Sequence, residues 1–189
     1  MSANDQQRWD AKYASRDLPA MLEPPEWLTG QVGDWPPGKA LDLACGIGHA
    51  SIWLANRGWD VTAVDVSPIG IGLASRFADR MGVRVNFVVA DLDAFELGTE
   101  IYDLITVFRF LDRGTLPQRI MAALKPGGQL VYETFLADDS PVAEHRPSNP
   151  QFLLAAGELP RIYNNLRVIR AEERMDPQNP TAQLLAQKL

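Results

Sequence analysis

Residues 40–49 constrain the fold of this chain more than any other stretch. An apolar run that contains one carboxylate, Asp42, leads into a Gly-x-Gly turn at Gly46 and Gly48, and residues 50–57 then follow a helical pattern. A strand that enters a glycine turn and leaves it as a helix is how α/β proteins bring a small ligand close to the backbone. A dinucleotide pyrophosphate favours bare glycines there, whereas a carboxylate just upstream suits a ligand with a cationic ammonium group.

Strand and helix patterns alternate along most of the chain. Apolar, β-branched runs predict strands at 40–44, 61–64, 85–89, 104–108 and 129–135, with two further candidates at 166–170 and 183–188. Helical patterns lie at 51–57, 68–81, 117–124 and 156–164, and Pro126-Gly127-Gly128 predicts a turn before the fifth strand. Because near-continuous apolar strands alternate with helices, the sequence predicts an α/β fold whose parallel sheet is covered on both faces.

The composition is that of one domain with ample material for a core, at 189 residues and 46% hydrophobic. No apolar run approaches the roughly 20 residues of a membrane span, and residues 1–10 contain no secretory apolar segment. The single cysteine, Cys45, excludes an internal disulfide and a cysteine-rich metal cluster. We therefore expect a cytoplasmic protein without a membrane partner or a metal site, acting as a monomer or a weak homodimer. A net charge of −6 also argues against a broad nucleic-acid footprint, which needs a basic surface.

We expect residues 1–189 to form a single domain with three parts. Residues 1–38 carry tryptophans and a tyrosine among charges and prolines, and they predict an N-terminal helical cap followed by a linker. Residues 39–135 hold the glycine turn and the first five strands, which form the expected cofactor-binding core. Residues 136–189 supply a long irregular loop, a helix and the last two strands, on the expected acceptor side.

Acidic residues follow or end three successive predicted strands. Asp42 precedes the glycine turn, Asp65 ends the second strand, and Asp91 follows the third. Ligands of open α/β sheets bind outside the carboxyl ends of the strands, and an acid after the second strand commonly binds ribose hydroxyls. An acid after the third strand can accept a hydrogen bond from the exocyclic amine of adenine. Each aspartate alone also fits a solvated turn or a helix-capping position, but together the three predict a cationic ligand that carries adenosine.

Five ordered motifs carry a resemblance to a known family. They are Leu41-Asp42-Leu43-Ala44-Cys45-Gly46-Ile47-Gly48, Val64-Asp65-Val66-Ser67-Pro68, Ala90-Asp91-Leu92, Tyr102-Asp103-Leu104-Ile105 and Leu124-Lys125-Pro126-Gly127-Gly128. In this order they resemble the motifs of class I S-adenosylmethionine-dependent methyltransferases. Stretches at 107–113, 132–135, 152–159 and 184–188, with Trp9-Asp10-x-x-Tyr13, resemble the tellurite-resistance-type (TehB-like) members. The resemblance implies a Rossmann-like three-layer α/β/α sandwich with a mostly parallel seven-stranded sheet and an antiparallel last strand.

The same resemblance implies S-adenosylmethionine as the cofactor and S-adenosylhomocysteine as its product. It places the methionine end of the cofactor at the glycine turn, the ribose at Asp65, and the adenine at Asp91 and Leu92. Phe108 and Arg109 are expected to face the sulfonium and the acceptor. The residues expected to bind the cofactor are Trp9, Tyr13, Asp42, Ala44, Cys45, Gly46, Gly48, His49, Asp65, Val66, Asp91, Leu92, Phe108 and Arg109.

The expected acceptor is a small molecule that receives the methyl group by in-line displacement. A soft or anionic acceptor of the tellurite, selenium or thiol type needs no general base, whereas an alcohol or amine needs one. Candidate catalytic residues are Arg109, Asp112, His145 and Arg146, with His49 and Glu133 as further candidate bases and Arg113 as a further anion-binding residue. Residues 174–181 hold a single arginine where the tellurite-resistance family carries histidine and arginine at the acceptor site.

Three other functions are compatible with parts of the pattern. A nicotinamide-dependent oxidoreductase would use the same strand-turn-helix unit, but the third glycine of the dinucleotide pattern is missing after Gly48. A tRNA or rRNA methyltransferase would share the cofactor site, although the Asn/Asp-Pro-Pro-Tyr motif of amino-methylating nucleic-acid enzymes is absent after the fourth strand. A non-catalytic S-adenosylmethionine-binding partner subunit would keep the cofactor motifs and lack an acceptor site.

Overall fold

A computed structural model describes residues 3–15, 20–137, 147, 149–176 and 179–189. The elements follow one another as α1 (Ala3–Ala14), α2 (Glu26–Val32), β1 (Lys39–Leu43), α3 (His49–Ala55), β2 (Asp60–Asp65), α4 (Pro68–Met81), β3 (Asn86–Val89), β4 (Tyr102–Phe108), α5 (Leu116–Ala123), β5 (Leu124–Phe135), α6 (Glu158–Ile162), β6 (Arg167–Arg174) and β7 (Thr181–Gln187). A 3₁₀ turn at Pro150–Phe152 precedes α6. Within these stretches, no helix has the length and apolar character needed to cross a bilayer.

The strands form a seven-stranded sheet in the order β3-β2-β1-β4-β5-β7-β6. β1 pairs in parallel with β2 and β4, and β3 and β5 extend the parallel part on either side. β7 runs antiparallel to both β5 and β6. The chain changes its direction of growth between β1 and β4, and open α/β sheets bind ligands at such a switch point, beyond the carboxyl ends of the strands. The predicted α/β fold, with a mostly parallel sheet and an antiparallel last strand, is confirmed.

Most element boundaries lie within two residues of the predicted ones; the exceptions are the start of β5 and the end of β6, which extends to Arg174 and not to residue 170. The predicted turn at 126–128 interrupts β5 instead of preceding it. The pairing of β5 with β4 jumps from Leu124 to Gln129, so the residues between them form a bulge, and Gly127 has φ +80°. The sixth helix is shorter than the predicted 156–164 because Gly157, in the left-handed conformation, caps its start.

Apolar side chains cover both faces of the sheet. On one face they pack against α5 and α6, and this cluster includes Leu41, Ile105, Leu130, Ile120 and Tyr163. On the other face they pack against α2 and α3, and this cluster includes Trp27, Leu28, Leu54, Leu104 and Val131. Each such side chain contributes about 1.5–3 kcal/mol when it is fully buried. The sheet is therefore a rigid support for the residues at its carboxyl edge.

Glu100, in the loop before β4, provides a test of backbone strain. Its φ is +53°, in the left-handed region that costs a side chain roughly 1–2 kcal/mol. Its ion pair with Lys188, at 3.4 Å on the surface, contributes little. We predict that Glu100→Gly raises the free energy of unfolding in urea by about 0.5–1 kcal/mol.

The control is Glu96→Gly, at an exposed position in the same loop without a positive φ. Glycine relieves no strain there, so we expect no gain in stability. A loss of stability in Glu100→Gly equal to that of the control would contradict the assignment of strain.

Candidate functional site

A large cavity opens beyond the carboxyl ends of β1, β2, β4 and β5. Its volume is about 960 Å³, near the top of the roughly 300–1,000 Å³ typical of small-molecule sites. The residues predicted from the sequence that the structure brings together in its wall are Trp9, Tyr13, Asp42, Ala44, Cys45, Gly46, His49, Asp65, Val66, Phe108, Arg109 and Glu133.

Asp42 is a buried carboxylate in this wall, with 2% of its surface exposed. It is paired across the sheet with Thr106 of β4, so both side chains lie on the same face, towards α3. Thr106 Oγ1 donates a hydrogen bond to one carboxylate oxygen at 2.8 Å, and Ser51 Oγ of α3 donates to the other at 2.5 Å. Burial raises the pKa of Asp42 to about 6, although both hydrogen bonds favour the ionised form. At neutral pH the wall thus holds an anion that has no cationic partner in the described part of the chain.

Asp65, at the end of β2, fixes the glycine turn. Its carboxylate accepts the backbone N–H of Gly46 at 2.8 Å and the backbone N–H of Ser67 at 2.9 Å. Burial raises the pKa of Asp65, and these N–H groups oppose that shift. A carboxylate has about four acceptor positions. Asp65 therefore keeps acceptor capacity for a further donor, such as a hydroxyl of a vicinal diol.

The glycine turn is closed on one side by α1. Asp10 of α1 accepts a hydrogen bond from Ser67 Oγ, the hydroxyl that also caps α4. Tyr13 is 8% exposed and stacks on Trp9 with 5.6 Å between the ring centroids. A Cβ at Gly46, where φ is +56°, would lie 2.7 Å from Tyr13 Oη. The absence of a side chain at this glycine is thus what allows the Tyr13 ring to cover the turn.

Cys45 and His49 both line the cavity. Burial, together with the nearby Asp42 and Asp65 carboxylates, raises the pKa of the Cys45 thiol well above its ordinary value. A neutral thiol is a poor nucleophile. His49 Nδ1 lies 2.7 Å from the carbonyl oxygen of Glu23 and donates to it, so the ring ties α3 to the segment before α2.

Phe108, Arg109 and Glu133 form the wall on the other side of the switch point. Phe108 and Glu133 are paired across β4 and β5, and both line the cavity. Arg109 follows β4 with φ +55°, and its backbone N–H donates to the Glu133 carbonyl oxygen at 2.8 Å. A bulky residue in the left-handed region is a strained feature of the kind that clusters at functional sites.

Asp112 and Arg113 lie outside the cavity wall, and their expected roles stay predictions. Asp112 Oδ1 accepts the backbone N–H of Gly114 at 2.9 Å, next to the start of α5. The Arg113 guanidinium binds Glu158 at 2.5 Å and donates to two carbonyl oxygens in residues 151–153. The Arg113 contacts join the segment before α5 to residues 151–158.

Three expected cofactor residues also lie outside the cavity wall. Gly48 caps α3 and faces Ile52 and Ala74, so it shapes the turn. Leu92 is 1% exposed within the apolar core. Asp91, two residues beyond β3, accepts the backbone N–H of Asp93 at 2.9 Å. The adenine contact of Asp91 and Leu92 stays a prediction.

His145 and Arg146 lie outside the described residues, so their catalytic roles also stay predictions. No group of three or more potential metal-binding side chains occurs in the stretches that the structure does describe.

Sequence reasoning missed the two hydroxyls that hold Asp42 and much of the far wall. Ser51 and Thr106 carried a usable signal, since each is a polar residue inside an apolar run, and a buried polar group needs a partner. The remaining wall residues come from helix and strand ends and from irregular segments, and no local sequence pattern predicts that they meet at the cavity. Those that carry polar or charged groups are Lys12, Glu23, Glu26, Arg174, Asp176, Asn179 and Thr181.

Two glycines of α4 test the packing of α1. A Cβ at Gly70 would lie 2.9 Å from Tyr13 Cε2, whereas one at Gly72 meets nothing within 4 Å. We predict that Gly72→Ala raises the free energy of unfolding by about 0.5–1 kcal/mol through helix propensity. Gly70→Ala is expected to lose that gain and to fall about 1 kcal/mol or more below the control, because Tyr13 must move out of a packed position. Urea titrations of both variants measure the difference, and equal stabilisation would show that Tyr13 is not held against α4.

Residues 40–128 match the family model of the methyltransferase domain. Over 144 residues the chain is 34% identical to Hemagglutinin 1 of Eikenella corrodens, covering 72% of this chain and 46% of that protein. Over 98 residues it is 34% identical to the ubiquinone biosynthesis O-methyltransferase of Coxiella burnetii, covering 50% and 42%.

The chain is also similar to the probable S-adenosyl-L-methionine-dependent methyltransferase TehB of Haemophilus influenzae, with 29% identity over 147 residues, 74% of this chain and 49% of that protein. The crystal structure of TehB from that organism superposes with a TM-score of 0.71 at 22% identity, covering 97% of this chain and 67% of that one. The chain spans less than half the length of these curated relatives. The ordered motifs, the sheet and the domain match together confirm the resemblance of residues 40–128 to the class I S-adenosylmethionine-dependent methyltransferases.

Proposed function

We propose that this chain binds S-adenosylmethionine in the cavity and transfers the methyl group to a small-molecule acceptor. The observation that carries the proposal is Asp42, a buried carboxylate that Ser51 and Thr106 hold in place without a cation. A buried charge that lacks a partner costs several kcal/mol. The ammonium group at the methionine end of the cofactor provides the missing cation.

Other groups in the wall fit the rest of the cofactor. Asp65 has acceptor capacity left for a ribose hydroxyl, beyond the backbone N–H groups that it already binds. Gly46 lines the cavity and has no side chain, so a ligand can approach its backbone closely. In this arrangement Phe108 and Arg109, at the end of β4, face the sulfonium and the acceptor.

The chain's contribution to the reaction is mainly orientation. When bound, the cofactor supplies a methyl group already activated by its sulfonium. Asp42 binds the ammonium group of the cofactor and Asp65 binds its ribose, so the methyl-bearing sulfur between them is held in a fixed orientation. Such orientation lowers the activation barrier by up to roughly 7–11 kcal/mol. Trp9 and Tyr13 cover the turn and exclude water from it, which assists the displacement at a charged sulfur.

The class of acceptor depends on which cationic side chains face the cavity. The sequence predicts a soft or anionic acceptor, of the tellurite, selenium or thiol type, held by several arginines. In the described residues, however, Arg113 is bound to Glu158, and Arg174 is paired with Glu26 at 3.1 Å. Among the arginines predicted to bind an anion, Arg109 is the one in the described residues that lines the cavity. An oxyanion acceptor would need several such arginines, whereas a neutral acceptor would not.

Two alternatives keep the same cofactor site. A tRNA or rRNA methyltransferase would need a basic surface around the cavity, whereas its wall carries more carboxylates than cations. A non-catalytic partner subunit would have no use for the polar wall formed by Glu133, Asn179 and Thr181. The polar wall favours an enzyme that acts on a small molecule. A cytoplasmic location and a monomeric or weakly dimeric state remain predictions from the sequence.

Calorimetric titration with S-adenosylmethionine and with NADH separates the methyltransferase from the oxidoreductase. We predict binding of S-adenosylmethionine and no measurable heat from NADH, because Asp42 and Asp65 accept cations and hydroxyls but repel a pyrophosphate. Binding of NADH in place of S-adenosylmethionine would contradict the proposal.

Asp42→Asn tests the buried charge through stability. Burial raises the pKa of Asp42 from 3.8 to about 6, so the folded state binds a proton more tightly than the unfolded state. Stability is therefore lost as the pH rises from about 4 to 6, and at pH 7.5 the penalty reaches up to roughly 3 kcal/mol. We predict that Asp42→Asn raises the free energy of unfolding of the ligand-free protein by about 1–3 kcal/mol at pH 7.5.

Urea titrations at pH 7.5 and pH 4.5 measure this gain, which should shrink at the lower pH as Asp42 becomes protonated. The same substitution should weaken the affinity for S-adenosylmethionine at least about tenfold, because a charged hydrogen bond is lost. A variant that is less stable than the wild type at pH 7.5 and binds the cofactor normally would refute the role of Asp42.

A further inference from the structure

A row of paired side chains crosses the sheet where β4, β5 and β7 meet the cavity. Phe108 of β4 is paired with Glu133 of β5, and Glu133 is paired with Gln183 of β7. Paired residues point to the same face of a sheet, and Phe108 and Glu133 both line the cavity. Thr181, two residues before Gln183 on β7, lines it as well. The row therefore sets one carboxylate beside Phe108, the residue expected to face the sulfonium.

Glu133 is held on one oxygen and open on the other. Gln183 Nε2 donates to Glu133 Oε2 at 2.5 Å, and Gln183 is itself buried, with 2% exposed. Within the described stretches, no other group donates to the Glu133 carboxylate. A buried amide thus fixes the position of this carboxylate and leaves Oε1 able to accept a hydrogen bond from a ligand.

A second acceptor atom in the wall lacks a partner. Asn179 lines the cavity, and its side-chain oxygen Oδ1 is buried without a hydrogen bond in the structure. A buried polar atom without a partner is costly, so its presence in a cavity wall indicates a donor on the ligand. Glu133 Oε1 and Asn179 Oδ1 thus have no donor within the described stretches, and an ammonium group carries three donors.

The charge of the cavity favours the same kind of ligand. Six carboxylates line it, against the three basic side chains of Lys12, Arg109 and Arg174. Arg174 is paired with Glu26. An anionic acceptor placed beside Glu133 would meet a like charge, whereas a protonated amine would meet an opposite one.

We propose that the acceptor is a small amine, and that Glu133 is the catalytic residue that binds it and takes its proton. This inference rests on the methyl transfer proposed above. The ammonium form of the acceptor binds to Glu133 Oε1 and gives up one proton to it. The nitrogen lone pair then attacks the methyl carbon, the carbon–sulfur bond breaks, and its electron pair stays on sulfur as a neutral thioether. The product leaves as a methylated ammonium, and Glu133 passes its proton to water.

Binding of two probes of matched size and opposite charge tests the charge preference. Phenethylamine and phenylacetate are titrated calorimetrically into the protein saturated with S-adenosylhomocysteine. We expect the wild type to bind the amine at least about tenfold more tightly than the acid, because a charged hydrogen bond forms at Glu133. Glu133→Gln should abolish that preference.

Glu172→Gln is the matched control. Glu172 lies on β6, is paired with Gln183 from the other side and binds Arg170, but it does not line the cavity. Its removal deletes the same charge two strands away and should leave the amine preference unchanged. Equal binding of the two probes, tighter binding of the acid, or a preference that survives in Glu133→Gln would overturn the assignment.

Transfer of a labelled methyl group to an extract of small metabolites tests the chemistry. We expect label on nitrogen, and a loss of about 10²–10⁴-fold in Glu133→Gln, the range for a general base. Label on sulfur, selenium or tellurium would refute the amine acceptor, and full activity in Glu133→Gln would refute Glu133 as its base. Neither result would contradict the methyl transfer itself.

Binding of S-adenosylhomocysteine separates the two proposals. Glu133→Gln should bind it within about twofold of the wild type, because Glu133 lies away from Asp42 and Asp65 in the wall. If the wild type binds neither S-adenosylmethionine nor S-adenosylhomocysteine, and no label is transferred, the methyl transfer itself is wrong.

Discussion

The buried charge of Asp42 is the constraint on which the rest of the site depends. A carboxylate with 2% exposure is tolerated because hydroxyls from α3 and β4 bind both its oxygens. Those hydroxyls reach it only if β1 pairs with β4 in the observed register and α3 begins directly after the glycine turn. The position of one charge thus ties together the strand order, the turn and the helix. Hydrogen bonds from neutral donors offset only part of the desolvation cost of the Asp42 carboxylate. A cation bound in the cavity would offset the rest.

The second carboxylate of the wall joins the cavity to its cover. Asp65 binds the backbone of Gly46, and Tyr13 Oη occupies the space where a side chain at that glycine would begin. α1 is in turn attached to the start of α4 through Asp10 and Ser67. The strand end, the turn and the N-terminal helix therefore form one connected unit around the expected position of the adenosine. The wall on the acceptor side has a different origin, in β5, β7 and the segments that flank them.

The sequence predicted the sheet, the glycine turn and the cofactor side of the site because these depend on local patterns. Apolar alternation defines strands, glycines define the turn, and an acid at a strand end lies at the carboxyl edge of a parallel sheet wherever the strand packs. Asp42, Asp65 and Gly46 follow from such rules. The bulge in β5 and the shortened sixth helix did not, since they arise from pairing with β4 and from the conformation of Gly157.

The acceptor side was predicted less well for a physical reason. Its wall joins residues far apart in the sequence, such as Arg109, Glu133 and Asn179, through the antiparallel insertion of β7. Isolated polar residues of this kind follow no sequence period from which the orientation of their side chains could be predicted. Arg113 illustrates the difficulty: its sequence position suggested an anion site, yet Glu158 and nearby carbonyl oxygens occupy its guanidinium.

The most direct test of a cation bound to Asp42 is the proton released when S-adenosylmethionine binds. Calorimetry at pH 5.5, in buffers of different ionisation enthalpy, measures the number of protons released for each molecule of S-adenosylmethionine that binds. With a pKa of about 6, Asp42 is largely protonated in the free protein at this pH, and the ammonium group should drive it to the ionised form. We predict that the wild type releases about 0.7 proton at pH 5.5. Asp42→Asn should release almost none. Binding without proton release in the wild type, or equal release in both proteins, would contradict a cation bound to Asp42.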